Sequence, residues 1–489
     1  MIETILNTTD KRDFEKQMNE MIIQDVTIKT IIKNPLKNQT ELLKKSNVLI
    51  SGSTFDQFNQ REFEQSLYTI NRNMFNLISK RIERMALELN IPIFRIRSPN
   101  EISKLVELTD ESNENDNTTM SIMCDIFPSK LWDNDYLKTC LYDDMDLFDA
   151  LRAIRCKQND LGPSLWSAIS IPIKTDTLLD LRKKYKELCS YQVQHLGLHN
   201  IEDTTEEYSK FHSDLGENLL GTQDLQKLGQ YAKRGISDHL RPKIWNLLLQ
   251  SEVIGCYRSY VQKTISKLSK MIKKMDLIID RMIQIDSKHA QNDDGYFIFE
   301  DLIKKIMMYW SRDNWITKAL MKMNHELLAK DLYSEQGYNG IYPFWGISLY
   351  AMPVCYLHED PGEAYILFRE LYVRYFYKLH TPCNKNGGIL QLCIQFENLV
   401  KETNSELYFH LSHTIEIQPL EIAFKWILYA FVGILDCEQV LLMWDRIIGY
   451  DCLGLLSVTA AALLTYRSDL LFMCKTPNQV MVMYISHSV

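Results

Sequence analysis

Apolar residues recur at three- and four-residue steps between Phe55 and Leu89. Phe58, Phe63, Leu67, Ile70, Met74, Ile78, Ile82 and Met85 therefore share one face of a long amphipathic helix. The pattern stops at "NIPIFRIRSPN", where Pro92 and Pro99 lack the backbone donors a helix needs. Helical spacing returns in "LWDNDYLKTCLYDDMDLFDALRAIR" and "TLLDLRKKYKELC", separated by Gly162, Pro163 and a short "SAISIPIKT" that fits an extended segment. After a break at Gly221, nearly every segment from Gly235 onward reads as helix. In "ISKLSKMIKKMDLIIDRMI" the stripe is Ile265, Leu268, Ile272, Met275 and Ile279.

This patterning predicts an all-α protein. Residues 109–118, "TDESNENDNT", are acidic, rich in Asn and poor in apolar side chains, so they are expected to form an exposed loop. The expected organisation is a helical amino-terminal region over 1–108, that loop, and further helical regions on either side of a break after Gly221; the bounds 119–230 and 231–489 for these are what the family resemblance described below implies. No repeat of solenoid length is present.

Composition narrows the function classes. Of 489 residues 46% are hydrophobic and 24% charged, a globular balance that supports a core in each of two or three domains. A net charge of −8 gives no overall basic field for nucleic acid or an anionic bilayer, so any such contact has to be local. One local candidate is the set Lys267, Lys270, Lys273 and Lys274, which suits phosphates or an acidic partner, and equally suits a solvated helix flank. Eleven cysteines without a C-x-x-C pair suit free thiols in a reducing compartment. The opening "MIETILNTTDKRDF" lacks the apolar core of a secretory signal, and "LGLLSVTAAALLTY" is short of the ~20 residues that span a bilayer. A cytoplasmic protein is expected, meeting membrane only through a partner.

Enzyme signatures with phosphate loops, nucleophile elbows or H-E-x-x-H are absent. The pairs His195/His199 and His410/His413 have helical spacing but no third ligand placed by sequence, and "HTPC" with Cys393 is a weaker set still, so no metal site is expected. Three other segments carry more information when read together: "RGISDHLRPKIW" (234–245), "IFEDLIK" (298–304), and "IYPFWGISLYAMPVCYLHEDPGEAYILFRELYVRYF" followed by "FKWILYAFVGILDCEQVLLMWDRIIGYD".

In that order these segments resemble the TBC-domain proteins, all-helical modules that stimulate GTP hydrolysis on Rab GTPases. The likeness covers about residues 231–489. A single member of that family extends it upstream through "DDGYFIFEDLI", "SRDNW" and "SIPIK". The resemblance implies two side chains inserted into the Rab nucleotide site, an arginine from I-x-x-D-x-x-R and a glutamine from Y-x-Q-G. The chemistry explains the choice, because phosphoryl transfer loads charge onto phosphate oxygens while a water must be aimed at phosphorus.

In this chain the first motif reads Ile298, Asp301 and Lys304, an ammonium in place of a planar fork. The second, aligned on Gly346, reads Pro343 for tyrosine and Trp345 for glutamine, and an indole has a donor but no acceptor. Lys304 and Trp345 are thus the candidate catalytic positions, with Asp301, Phe344 and Gly346 as binding positions. The alternative for Asp301, Lys304 and Lys305 is a set of neighbouring charges on a solvent-facing turn. Arg241, Trp245, Trp444 and Asp445 match signature positions that hold the domain together, and Arg241 and Trp245, four apart, share a helix face.

The expected partner is a Rab-family GTPase carrying its own GTP and Mg, with no cofactor bound by this chain, in a cytoplasmic vesicle-trafficking role with recruitment to endomembranes. Three functions stay open: a Rab activator weakened by Lys304, a non-catalytic Rab or trafficking-factor binder, and a helical scaffold without a GTPase partner.

Overall fold

A computed structural model of the chain describes residues 52–88, 90, 92–103, 141–155, 175–186, 206–249, 257–288, 295–323, 339–381 and 387–485. It divides into two units, residues 1–65 and 66–489, and of the first only the opening of one helix is described. In chain order the first elements are α1 (Gly52–Glu88), β1 (Phe94–Ile96), α2 (Asp144–Arg155), α3 (Leu178–Lys184), α4 (Glu206–Thr222), α5 (Leu225–Ala232), α6 (Arg241–Leu248), α7 (Tyr257–Lys274), β2 (Met275–Leu277) and α8 (Ile278–Ser287). Then come α9 (Glu300–Arg312), α10 (Asn314–Met323), α11 (Pro361–Arg374), α12 (Ile389–Thr403), α13 (Ser405–Phe409), α14 (Pro419–Leu428), α15 (Cys437–Tyr450), α16 (Gly454–Tyr466), α17 (Ser468–Met473) and α18 (Pro477–Ile485). The all-α expectation holds for the described residues, with one two-stranded sheet added.

Helix α1 follows its apolar stripe, and Ile78, Ile82 and Met85 are buried. The stripe over 265–279 departs from expectation, because the helix stops at Lys274 and Met275–Leu277 pair antiparallel with β1. Tertiary contacts outbid the periodicity. The Arg97 guanidinium donates to the carbonyls of Ile272 (2.7 Å), Lys273 (3.1 Å) and Met275 (3.1 Å), and the Arg97 amide donates to Lys274 O (2.9 Å). The last carbonyls of α7 are thus satisfied from outside the helix. The Leu277 amide then donates to Asp280, which starts α8.

Residues 347–356, read as helix from sequence, form two 3₁₀ turns, Ile347–Ala351 and Pro353–Tyr356. Pro353 removes one backbone donor inside the run, and Gly346 enters it at φ +97°. Helix α11 starts more conventionally, with Pro361 in its first turn and the Asp360 side chain accepting from the Gly362 amide.

The core centres on α9, whose Ile303, Ile306, Met307 and Trp310 are fully buried, and which packs against α7, α8 and α11. A second layer sets α12 against α14 and α16. Residues expected to lie in separate amino-terminal and intermediate regions pack onto this same body: β1 on β2, Phe148 on Phe424 (ring centroids 5.1 Å) and Tyr185 on Tyr450 (5.0 Å). These contacts cross the expected boundaries at 108 and 230. The acidic loop 109–118, "SAISIPIKT" up to Lys174, and His195/His199 lie outside the described residues.

Candidate functional site

Arg241 and Trp245 sit one turn apart on α6, both buried, and converge on Asp445 of α15. The carboxylate accepts from Arg241 Nε (3.1 Å), Trp245 Nε1 (2.7 Å) and the Ile236 amide (2.9 Å). Arg241 also donates to Asp238 (2.6 Å) and to Ile236 O (2.9 Å). Burial disfavours the Arg241 cation, but Asp445 and Asp238 outweigh it and leave its pKa raised. Complete burial pushes the Asp445 carboxyl up to about 6 against the pull of Arg241, the Ile236 amide and Trp245. Trp444 donates to Ala430 O (3.2 Å) and stacks on Trp245 (6.3 Å), so all four signature residues form one buried tie between α6 and α15.

Helix α9 presents Lys304 on the turn that also carries Glu300 and Asp301. The ammonium is paired with Glu300 four residues back and lies 3.9 Å from Asp301. Only 21% of the Lys304 side chain is exposed, so the solvent-facing turn expected as the alternative is only partly open. Next to it Ile298, at the head of the motif, is exposed, as are Phe297 and Tyr356. Tyr356 packs edge-on against Phe299 (4.7 Å), forming an apolar rim at the amino-terminal end of α9.

The "YPFW" segment divides its labour. Phe344 is fully buried, stacked on His380 (4.8 Å) and lying against Tyr142 (5.6 Å) and Tyr350 (5.9 Å). The expectation that Phe344 meets a partner is therefore corrected: its ring closes the core beneath the segment. Trp345 is half-buried, and its backbone is held from both sides, the amide donating to Tyr142 O (2.9 Å) and the carbonyl accepting from Tyr429 Oη (3.1 Å).

Gly346 is required twice over. Its φ of +97° is strained for any side chain, and a Cβ there would come within 2.5 Å of the Tyr429 ring. Its amide donates to the Asp286 carboxylate, which also accepts from the Ser348 amide (2.8 Å).

Helices α8 and α9 pack together, with Asp280 paired to Arg312, and the 3₁₀ turn Ile347–Ala351 that follows the clasp packs on both.

Sequence reasoning missed Asp286, Tyr142 and Tyr429, and weighed His380 only as a weak metal ligand in "HTPC". The signal for Asp286 was available in "IIDRMIQIDS", where acids set among isoleucines and a methionine mark buried acceptors rather than a solvated flank. His380 is buried with its Nδ1 at 3.1 Å from Tyr142 Oη and its Nε2 at 2.9 Å from Tyr372 Oη. Desolvation lowers its pKa to about 3. His410 sits on a π-helical turn and donates from Nε2 to Leu471 O (3.2 Å). Among the described residues no group of three or more His, Cys, Asp or Glu side chains is arranged to hold a metal ion.

A family model for the Rab-GTPase-TBC domain matches residues 238–471. TBC1 domain family member 19 of Homo sapiens is 31% identical over 414 residues, spanning 80% of this chain and 73% of that protein. The chain belongs to the Rab-GTPase-TBC domain family. The matched stretch begins at Asp238, inside the Arg241–Asp445 tie, and ends on α17. The crystal structure of the Ypt/Rab-GAP domain of Gyp1p overlaps at 16% identity and a TM-score of 0.41, covering 56% of this chain and 91% of that one. No described helix of this family member is long and apolar enough to cross a membrane.

Proposed function

We propose that this TBC protein engages a GTP-bound Rab-family GTPase in cytoplasmic vesicle trafficking and accelerates its GTP hydrolysis at most weakly. The nucleotide and its Mg come with the partner. The observation that carries this reading is the state of Lys304. Its ammonium is already paired with Glu300 and lies near Asp301, so any positive charge it delivers to a phosphate is offset by two carboxylates. An arginine finger is worth roughly 10³–10⁵ in rate, and a hydrated point charge on a flexible stem does not reproduce its fork. Trp345 adds no amide to aim a water. Binding needs neither group, and the exposed rim of Phe297, Ile298 and Tyr356 supports contact with a partner at this end of α9.

Single-turnover GTP hydrolysis on a panel of GTP-loaded Rabs tests the reading. The wild type is expected to capture a Rab in its GTP form while leaving hydrolysis near the intrinsic rate, and Lys304→Arg/Trp345→Gln to raise that rate. Strong wild-type acceleration that disappears in Lys304→Ala overturns the weak-activator reading. Absence of GTP-dependent capture by any Rab overturns the partner.

A further inference from the structure

Helix α7 carries Arg258, Lys263, Lys267, Lys270, Lys273 and Lys274 and no acidic residue, in a chain whose net charge is −8. Its inner face is Val261, Leu268 and Ile272, buried against α9 and α11. Lys263, Lys270 and Lys274 each follow one of these by two positions, about 200° round the helix, so they face directly away from the core. Lys267 lies between them on the same stripe. All four are exposed, and none has an ion-pair partner among the described residues. Elsewhere exposed cations do find acids: Arg84 pairs with Glu88, Lys184 with Asp176 and Lys227 with Asp224.

These lysines border a shallow depression of about 650 Å³ lined, among the described residues, by α7 alone, with Met271 half-buried among them. The shape selects the ligand. Among the described residues there is no second wall to enclose a small anion, no guanidinium fork and no buried donor aimed inward. What remains is a row of ammonium groups about 16 Å long on flexible stems, open to a flat surface. A peptide groove needs two flanks, whereas a bilayer needs a proud face that nothing among the described residues overhangs.

We infer that the outer face of α7 is an electrostatic docking surface for an anionic lipid bilayer. Contact with membrane is then direct, where sequence reasoning expected it only through a partner. Because the lysines point away from α9, a docked bilayer leaves the Lys304 end of α9 open, and the two contacts are compatible. This inference does not rest on the Rab reading.

The test is flotation of the full chain with vesicles of phosphatidylcholine alone and with phosphatidylserine added, no GTPase being present. Binding is expected only to the anionic vesicles and is expected to weaken as salt rises. Each lysine near an anionic leaflet adds roughly fivefold, so changing Lys263, Lys267, Lys270 and Lys274 together to Gln lowers partitioning by a factor on the order of 10²–10³. The same four positions changed to Arg retain it, and thermal melts check that both variants are folded. Equal binding to neutral vesicles, or binding that survives the four Gln changes, overturns the inference. So does capture by poly-glutamate beads with no vesicle binding, which assigns the face to an acidic polypeptide. A negative result here leaves the GTPase assays untouched.

Discussion

Removing the Asp445 carboxylate tests whether the Arg241–Trp245–Asp445 tie holds the domain. In Asp445→Ala the Arg241 guanidinium, 2% exposed, loses its buried counter-ion, Trp245 Nε1 loses its acceptor, and the Ile236 amide loses its own. Adding up the individual hydrogen bonds overshoots, because the variant is also spared the desolvation of a carboxylate. Breaking one side of a buried pair costs about 3–5 kcal/mol. Arg241 keeps Asp238, which is 75% exposed, and Ile236 O, so the lower end, about 3 kcal/mol, is expected.

The assay is urea unfolding at pH 8, well above the value of about 6 to which burial pushes Asp445, so that the carboxylate is fully charged. A double-mutant cycle of Arg241→Met, Asp445→Leu and Arg241→Met/Asp445→Leu completes it. Exchanging both charges for apolar groups is expected to recover part of the loss, short of the roughly 1–3 kcal/mol for each of the Trp245 and Ile236 N–H groups left without an acceptor. A loss below about 1 kcal/mol for Asp445→Ala, or a double variant as damaged as the two single ones added together, refutes the argument.

Two further outcomes follow from the packing around residues 344–346. His380 is held neutral, its pKa lowered to about 3 from 6.5, so its contribution to stability is complete above 6.5 and is lost as pH falls towards 3. Between pH 7 and pH 5 that amounts to about 2 kcal/mol in chemical denaturation, and His380→Phe should flatten this part of the profile. Gly346→Ala combines positive-φ strain with a contact at 2.5 Å on the Tyr429 ring, and a loss of about 2 kcal/mol or more is expected by the same measurement, a value near zero counting against the clash.

Much of the fold was legible in periodicity, because α1 and α7 bury one stripe each and that stripe is written at helical spacing. The two strands were illegible for a physical reason. Met275–Leu277 continue an apolar helical pattern, and only Arg97, more than 170 positions away, removes the carbonyls that would prolong the helix. Sequence spacing holds no record of such long-range competition. Likewise "YPFW" announced an aromatic cluster without saying which ring is inside. Phe344 fills the pocket between Tyr142 and His380, residues brought in from distant segments, while Trp345 is left half outside. The motif positions 241, 245, 444 and 445 could be found because their spacing is tied to a helix face, but their shared acceptor became visible only in three dimensions.

The backbone around the second finger position is fixed by residues other than Trp345. Asp286 clasps the amides of Gly346 and Ser348, Tyr142 O and Tyr429 Oη hold the two ends of residue 345, and Phe344 anchors the segment from below. Changing the indole to an amide therefore alters one half-buried side chain while these backbone contacts remain. The same holds at Lys304, whose neighbours Ile303 and Met307 anchor α9 in the core. Restoring both finger side chains is thus a test of chemistry with the fold held constant. A gain of GTPase stimulation in that variant supports the proposal that the ammonium and the indole limit it, while a stable but inert variant points to Glu300 and Asp301, which would still draw the cation back onto its own helix.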